Sequence, residues 1–539
     1  MTETLEIKIN EAWEPALKSW NSPSIPFVIA PTSQEEMQNL GEIGSALKGE
    51  FAFMKYPEFQ TYINLEEIAK KFPSDPKRAT QAIATHEVGH RFCPYDVITT
   101  IILSHAIKKA LKNENLPYDV DSATGNILNL FSDTCINTRQ VKKGNEDIPW
   151  AYQELSKDKK DSKLWKVYGK SMELIWNKEL LPQDTKLTTQ ESEASREISE
   201  LFQRDYFNRD TWKDNSVRYA QIISKFLESE EKDGEKGLDK TPSNNLPKDI
   251  DDKTAQELAK RLAQIGGNGL PQNPDGLKEF QEIMAGYGKG EAKHASIQFY
   301  DMLSKSYEVM FSTKPFGRPR VNPFQPVTWN PSMGAERLDV DYSAQVGGKI
   351  IPGVNTYTWN TRRRESFGGL EEVVPNLDLY LDSSMSMVDP IKQISLPVLA
   401  GFVAAKKAHH KGAKIRATNF SGERQTKTQD FTRDLDKIYE VLVTHYNGGT
   451  VFPTSTLLDG DDPKQVLIVT DTFLGNEGQT SEAVTNLRKR HSGNRVTVYE
   501  IHSGQHGTYL RNAGAEVIQG TTTDIFKRVI GKAEEVYVR

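Results

Sequence analysis

One run of residues constrains this chain more than any other. Gln465-Val466-Leu467-Ile468-Val469-Thr470 is apolar, β-branched and without polar alternation, and it stops at Asp471. A strand of this kind is covered on both faces, as in a parallel sheet flanked by helices. The surrounding sequence supplies the partners. Asn376 to Leu381 reads as a strand, Ile391 to His409 as a helix, Ala413 to Asn419 as a strand and Asp434 to His445 as a helix. After the apolar run come a helix near Ser481 to Arg490, a strand near Val496 to Ile501 and a last helix from Thr523. Strands alternating with helices predict an α/β, doubly wound parallel sheet whose site lies at the carboxyl ends of its strands.

Those ends carry hard oxygen donors. The first strand runs into Asp382-Ser383-Ser384-Met385-Ser386, a D-x-S-x-S sequence. The loop Tyr446-Asn447-Gly448-Gly449-Thr450 supplies a hydroxyl, and Asp471 ends the apolar run. Asp382, Ser384, Ser386, Thr450 and Asp471 suit Mg²⁺, with Thr454 as the alternative to Thr450. The ordinary role for such serines is to cap a helix after a strand. The set resembles the metal-ion-dependent adhesion site (MIDAS) of von Willebrand factor A (VWA) domains: D-x-S-x-S, a distant threonine, then an aspartate after a buried strand. The resemblance spans residues 372–539 and departs at Thr472, where many members have glycine. It implies a Rossmann-like VWA fold and a Mg²⁺ that an acidic side chain of a protein partner completes. It also implies a MoxR-type AAA+ ATPase as that partner. The chain has no G-x-x-x-x-G-K-[ST] phosphate loop, so ATP-driven work must come from another protein.

A second constellation lies near the amino terminus. His86-Glu87-Val88-Gly89-His90 is an H-E-x-x-H motif. Ser74-Asp75-Pro76 reads as a helix start, Ala79, Ala82, Ile83 and His86 follow at helical spacing, and Pro94 ends the element. Residues four apart share a helix face, so His86 and His90 can offer two imidazoles to one ion, with Glu87 on the same turn as a base. A zinc hydrolase needs a third protein ligand and an open position for water. Asp133 is the choice, on an apolar helical segment from Asn126 to Asn137 where an ionised carboxylate is costly unless paired. Asp96, His105, Asp119 and Asp121 are the other candidates. The competing readings are two core histidines satisfied by hydrogen bonds, and an Asp133 paired with Arg139 or facing water.

H-E-x-x-H followed by Asp133-Thr134-Cys135-Ile136-Asn137 resembles the metallopeptidase domain found before VWA-like domains in bacteria and archaea, which pairs H-E-x-x-H with a later D-x-x-I-N. The resemblance covers residues 40–145. It implies a mainly helical, zincin-like domain, with His86, His90 and Asp133 as zinc ligands and Glu87 as catalytic base. Asn137, one turn after Asp133, is placed to orient a ligand. Tyr95 is a nearby candidate for stabilising the oxyanion.

Length and composition set the frame. A chain of 539 residues implies two or three domains. The expected division is a metallopeptidase-like domain with a helical extension over 1–226 and a polar linker or mobile insertion over 227–276, interrupted by a helix-forming stretch from Thr254 to Ile265. A helical and extended connector over 277–371 and a VWA-like domain over 372–539 follow. The net charge of −6 does not call for nucleic acid. The short basic stretches Lys314 to Arg320 and Arg362 to Arg364 fit a solvated surface better. Two cysteines, Cys93 and Cys135, form no disulfide framework and read as small buried residues in a reducing compartment. The charged first ten residues lack a signal-peptide core, and no apolar run reaches membrane-spanning length. The expectation is a cytoplasmic zinc metalloendopeptidase acting on a protein substrate, whose VWA domain recruits or senses a partner. The alternatives are a non-catalytic VWA adaptor of an ATPase complex, with a structural or inactive zinc domain, and a protease effector of a toxin or antiviral defence system.

Overall fold

The computed structural model describes residues 2–30, 51–55, 60–94, 96–116, 119–159, 161–227, 249–265, 270–311, 323–330, 338–340, 356–361, 374–460, 463–471, 474–501 and 507–537, together with residues 39, 47, 333 and 343. The basic stretches at 314–320 and 362–364 lie outside them. The chain divides into two compact units, Met1–Ile250 and Asp251–Arg539. No helix among the described residues is long and apolar enough to cross a membrane.

The first unit is mainly helical. Helix α1 (Thr2–Trp20) precedes a small sheet of β1 (Phe27–Ile29), β2 (Ala52–Lys55) and β3 (Gln60–Ile63), in the order β1-β3-β2. Then come α2 (Leu65–Lys71), α3 (Pro76–Gly89), α4 (Val97–Leu111) and α5 (Val120–Lys142). Helix α3 starts where its sequence says it should. Asp75 caps it by accepting from Arg78 N, and Pro76 fills the first helical position, where a missing N–H costs nothing. It is buried all round from Ala82 to Gly89, because α1, α2, α5, α6 (Asp147–Ser156) and β2 all pack on it. Helices α7 (Lys163–Trp176), α8 (Thr189–Leu201) and α9 (Arg209–Ile223) share this core through Trp165, Tyr168, Trp176, Ile198, Trp212 and Tyr219. Cys93 and Cys135 are both free and buried in it.

The second unit begins inside the stretch expected to be a linker. Residues 228–248 lie outside the described set, but α10 (Asp252–Ala263) is a well-formed helix. Ala255, Leu258, Ala259 and Leu262 make a narrow apolar stripe on an otherwise charged helix. The helix-forming stretch from Thr254 to Ile265 is therefore borne out, but it is no linker: its stripe packs on α11 (Gly276–Gly286) and α12 (Ala292–Phe311). A hairpin of β4 (Pro323–Thr328) and β5 (Tyr357–Thr361) follows.

The rest of the unit is a six-stranded sheet. Its strands are β6 (Asn376–Asp382), β7 (Ile415–Phe420), β8 (Thr426–Thr432), β9 (Lys464–Thr470), β10 (Arg495–Ile501) and β11 (Glu516–Gly520). Their order is β11-β10-β9-β6-β7-β8. All neighbours are parallel except β8, which runs antiparallel to β7 at the edge. The sheet is therefore mixed, not purely parallel as expected. Thr426–Thr432 alternates exposed and half-buried positions, as an edge strand with one wet face does. Helices α13 (Leu396–His410), α14 (Leu435–Leu442), α15 (Thr454–Leu458), α16 (Glu477–Arg490), α17 (Thr508–Asn512) and α18 (Thr522–Tyr537) complete the unit. Tyr380, Val466 and Val498 face a core containing Ala483, Val484 and Leu487 of α16. The alternate residue Leu381 lies against Gly401 of α13 on the other face. Helices thus cover both faces of β6.

Under the opposite end of the sheet lies a buried ionic cluster. Asp378 accepts from Arg416 Nε at 2.8 Å and also from its Nη2, and Lys464 Nζ stands 3.5 Å from the same carboxylate. All three side chains are at most 1% exposed.

Candidate metal centres

The first centre is built from α3 and α5. His86 and His90 stand one turn apart on α3, with ring centroids 4.8 Å apart and planes at 89°. Their Nε2 atoms lie 3.2 Å from each other. Asp133 Oδ1, on α5, lies 3.5 Å from His86 Nε2 and 3.7 Å from His90 Nε2. A point equidistant from three atoms so spaced sits about 2.0 Å from each, which is the length of zinc bonds to imidazole nitrogen and carboxylate oxygen, about 2.0–2.2 Å. Two neutral nitrogens and one carboxylate are also a donor set that zinc accepts. The residues present therefore fit zinc in both chemistry and spacing. Among the described residues this is the group of histidine, cysteine and acidic side chains close enough to hold an ion.

A hydrogen-bonded chain supports His86 from behind. His86 Nδ1 meets Asn137 Oδ1 at 2.9 Å, and Asn137 Nδ2 donates to the Tyr152 hydroxyl at 2.9 Å. With that amide oxygen, which only accepts, towards the ring, a neutral His86 carries its proton on Nδ1 and leaves Nε2, facing Asp133 and His90, bare. Tyr152 in turn meets the Tyr168 hydroxyl at 3.1 Å. Burial raises the Tyr168 phenol well above its usual range, helped by Tyr152 and by the charge of Asp133.

Gly89 explains how close the two helices come. A Cβ there would lie 2.3 Å from Ile136 Cγ2 and 2.8 Å from Trp20 Cζ2, so any side chain would push α3 off α5 and α1. Trp20 also donates from Nε1 to the Thr85 carbonyl at 2.8 Å, fastening α1 to α3 one residue before the first histidine. Glu87 is fully buried on the same turn as His86. All four residues of the motif and its partner, His86, Glu87, His90 and Asp133, are at most 1% exposed.

The other ligand candidates stand elsewhere. Asp96 caps α4 by accepting from Thr99 N at 2.8 Å, and His105 lies within that helix. Asp119 caps α5, where the Ser122 hydroxyl and backbone hold its carboxyl below the usual range, and Asp121 follows it in the first turn. Tyr95 lies outside the described residues.

The second centre forms where the strand order reverses. The chain leaves β6 for β7 on one side and returns to β9 on the other, and such a switch point opens a crevice at the carboxyl ends. Asp382 ends β6 and Asp471 directly follows β9, so the two carboxylates flank that crevice. Ser384 N donates to Asp382 Oδ1 at 2.8 Å, and Thr470 Oγ1 donates to Oδ2 at 2.7 Å. Ser384 Oγ lies 3.1 Å from Ser386 Oγ, and Ser386 donates to Asp471. Four of the five oxygen donors are thus one connected cluster. Thr450 stands in a neighbouring loop, where its carbonyl accepts from Gly475 N at 2.7 Å, a bond that does not reach the other four donors. Gly448, in the same loop, pairs with Ser384 and accepts from Met385 N at 3.0 Å. Thr454 begins α15, and Thr472 lies outside the described residues.

Burial pushes the Asp382 carboxyl up to about 6; the charge of Asp471 adds to the rise, while the Thr470 and Ser384 hydrogen bonds oppose it. Such a carboxylate gains from a nearby cation. The loop after the serines is held by helices from the expected connector. Tyr300 of α12 accepts from Ser395 N at 2.8 Å and reaches the Pro390 carbonyl at 3.2 Å, and Gln281 of α11 donates to the Ile391 carbonyl at 2.8 Å. This is why α13 starts at Leu396 and not at Ile391: residues 391–395 are occupied in that anchoring, and Ser395 caps the helix.

Sequence reasoning passed over Gly89, Tyr152, Thr470 and Tyr300. Only Gly89 left a signal, since a glycine inside a helix costs about 1 kcal/mol and asks for a packing reason. No family model, no curated protein and no solved structure matches this chain.

Proposed function

We propose that this chain is a zinc-dependent metallopeptidase carrying a Mg²⁺-binding VWA-type domain that recruits a protein partner, a MoxR-type AAA+ ATPase by resemblance. The observation that carries the reading is the triangle of His86, His90 and Asp133 donors, drawn from two helices at zinc-bond spacing with a glutamate on the same turn. Zinc held there would polarise a scissile carbonyl and lower the pKa of a water from about 15.7 towards about 7. Glu87 takes the proton of the attacking water and passes it to the leaving amine. Asn137 keeps the His86 ring turned and protonated on the far side. In the second unit, Asp382, Ser384, Ser386 and Asp471 offer hydroxyl and carboxylate oxygen at a switch-point crevice, which suits a hard cation and a partner's carboxylate.

The near-complete burial of His86, Glu87, His90 and Asp133 favours a second reading, a partner-binding adaptor whose zinc is structural. One experiment separates the two. Metal content and proteolysis are measured for wild type, Glu87→Gln and His86→Ala, with and without the ATPase partner. Zinc retained in Glu87→Gln with proteolysis lost by at least about a hundredfold supports the peptidase. Zinc retained with partner-dependent function unchanged supports the adaptor. No zinc in wild type ends both.

A further inference from the structure

The chain His86–Asn137–Tyr152–Tyr168 continues past the residue expected to orient a ligand. We propose that the hydroxyls of Tyr152 and Tyr168 are positioning groups that hold His86 in the tautomer whose Nε2 carries no proton. The inference rests on the metal reading of the triad, and it concerns how this fold prepares one ligand.

The argument follows the donors. An asparagine side chain has an accepting end and a donating end of nearly the same shape. With Oδ1 towards His86, Nδ1 must carry the ring proton and Nε2 can bind a cation. Turned over, the amide would donate to Nδ1 and force the proton onto Nε2, against Asp133 and His90. The contacts of Asn137 with His86 alone do not select between these. Tyr152 does, because its oxygen accepts from Asn137 Nδ2 at 2.9 Å. A phenol can also donate, so its own direction has to be set, and the Tyr168 hydroxyl at 3.1 Å is the group that can take the Tyr152 proton and so set it. Every donor then points away from the triad: ring to amide, amide to phenol, phenol to phenol. A cation at Nε2 favours that direction, and that direction favours a bare Nε2, so the two reinforce each other.

The setting suits a fixed polarity. Tyr152 and Asn137 are fully buried and Tyr168 is 1% exposed, so bulk water does not compete. The Tyr152 ring stacks on Trp165 at 5.8 Å and meets Trp176 edge-on at 5.4 Å, which fixes where its hydroxyl points. Phenylalanine preserves both ring contacts and deletes only the hydroxyl.

The test uses the full chain with histidine labelled by ¹⁵N in both ring positions, the His86 signals being assigned by their loss in His86→Ala. Ring ¹⁵N shifts report the tautomer directly, in the metal-free protein and with zinc added; zinc affinity comes from competition with a chromogenic chelator. We expect metal-free wild type to show His86 protonated on Nδ1. Tyr152→Phe should give a mixture of both tautomers and bind zinc about tenfold more weakly, and Asn137→Ala should lose about 10–100-fold. Tyr168→Phe should show the same mixing and serves as the second variant if Tyr152→Phe fails to fold; melting temperatures check both. An unchanged Nδ1–H tautomer in the folded phenylalanine variants, with wild-type zinc affinity, overturns the inference and leaves the peptidase reading standing. Wild type that binds no zinc overturns that reading instead, while the tautomer of the metal-free protein still decides this one.

Discussion

Gly89→Ala tests whether the helix crossing sets the metal triangle. The added Cβ would start 2.3 Å from Ile136 Cγ2 and 2.8 Å from Trp20 Cζ2. Carbon atoms pack at about 3.5–4.0 Å, so relief requires a movement of at least about 1 Å. Ile136 is β-branched, fully buried and on a helix, where its rotamer has little choice. The helices have to separate instead. Alanine returns about 1 kcal/mol of helix propensity, and overpacking costs about 1–3 kcal/mol, so the net effect is destabilising by roughly 1–2 kcal/mol. The metal site loses more. Its contacts of 3.5 and 3.7 Å bridge the two helices, and widening each by about 1 Å puts Asp133 beyond a zinc bond of about 2.0–2.2 Å. Zinc affinity should fall at least about a hundredfold. Ile136→Ala removes the nearest contact and leaves Trp20 Cζ2 at 2.8 Å, so Gly89→Ala with Ile136→Ala should recover part of the zinc affinity while carrying its own cavity cost. Denaturant unfolding and zinc titration of the four proteins complete the cycle. Wild-type zinc affinity in Gly89→Ala would refute the crossing as the determinant of the site.

The second centre should respond to pH. Asp382 is raised from 3.8 to about 6, first by burial. The fold therefore prefers its protonated form: the contribution is full below 3.8 and is lost as pH rises through about 6, on the order of 3 kcal/mol. Mg²⁺ needs the ionised form, so its affinity should weaken towards tenfold per unit below about pH 6, and Asp382→Asn should stabilise the metal-free protein at neutral pH while abolishing Mg²⁺ binding. Calorimetric titration at about pH 5 and about pH 7.5 checks this, and a flat affinity would contradict it. Asp378→Ala should cost about 3–5 kcal/mol in the second unit, because it leaves Arg416 and Lys464 buried without their counter-charge. Urea unfolding measures it, and a loss below about 1 kcal/mol would show that the cluster is already relaxed by other partners.

Local signals were legible where the chemistry is local. Asp75-Pro76 caps α3 because one side chain and one ring are enough to start a helix. His86 and His90 share a face because a helix has one period. Asp382 and Asp471 follow strand ends because an unbroken apolar run has to be buried on both faces. What failed shares a cause as well. The edge strand β8, Thr426–Thr432, is polar but for Phe431, and no apolar alternation announces a sheet until β7 is beside it. The helix of α10 was legible as a helix-forming stretch, Thr254 to Ile265, but its place in a packed unit was not, because that depends on α11 and α12 covering its stripe. Thr470 reads as the last residue of a buried strand, yet its hydroxyl holds Asp382 across the crevice.

Asp133 shows where the boundary falls. Its cost on an apolar helix could be read from the sequence, and that cost demands a partner. Which partner could not be read, because Arg139 and the two histidines satisfy the same demand. The fold answers by other means: Arg139 lies over the Phe207 ring at 4.2 Å, and Asp133 faces the imidazoles. That choice depends on how closely α3 and α5 approach, and the approach depends on the missing side chain of Gly89. A motif can therefore name two candidate donors, while the third is decided by a packing contact in which none of the three takes part.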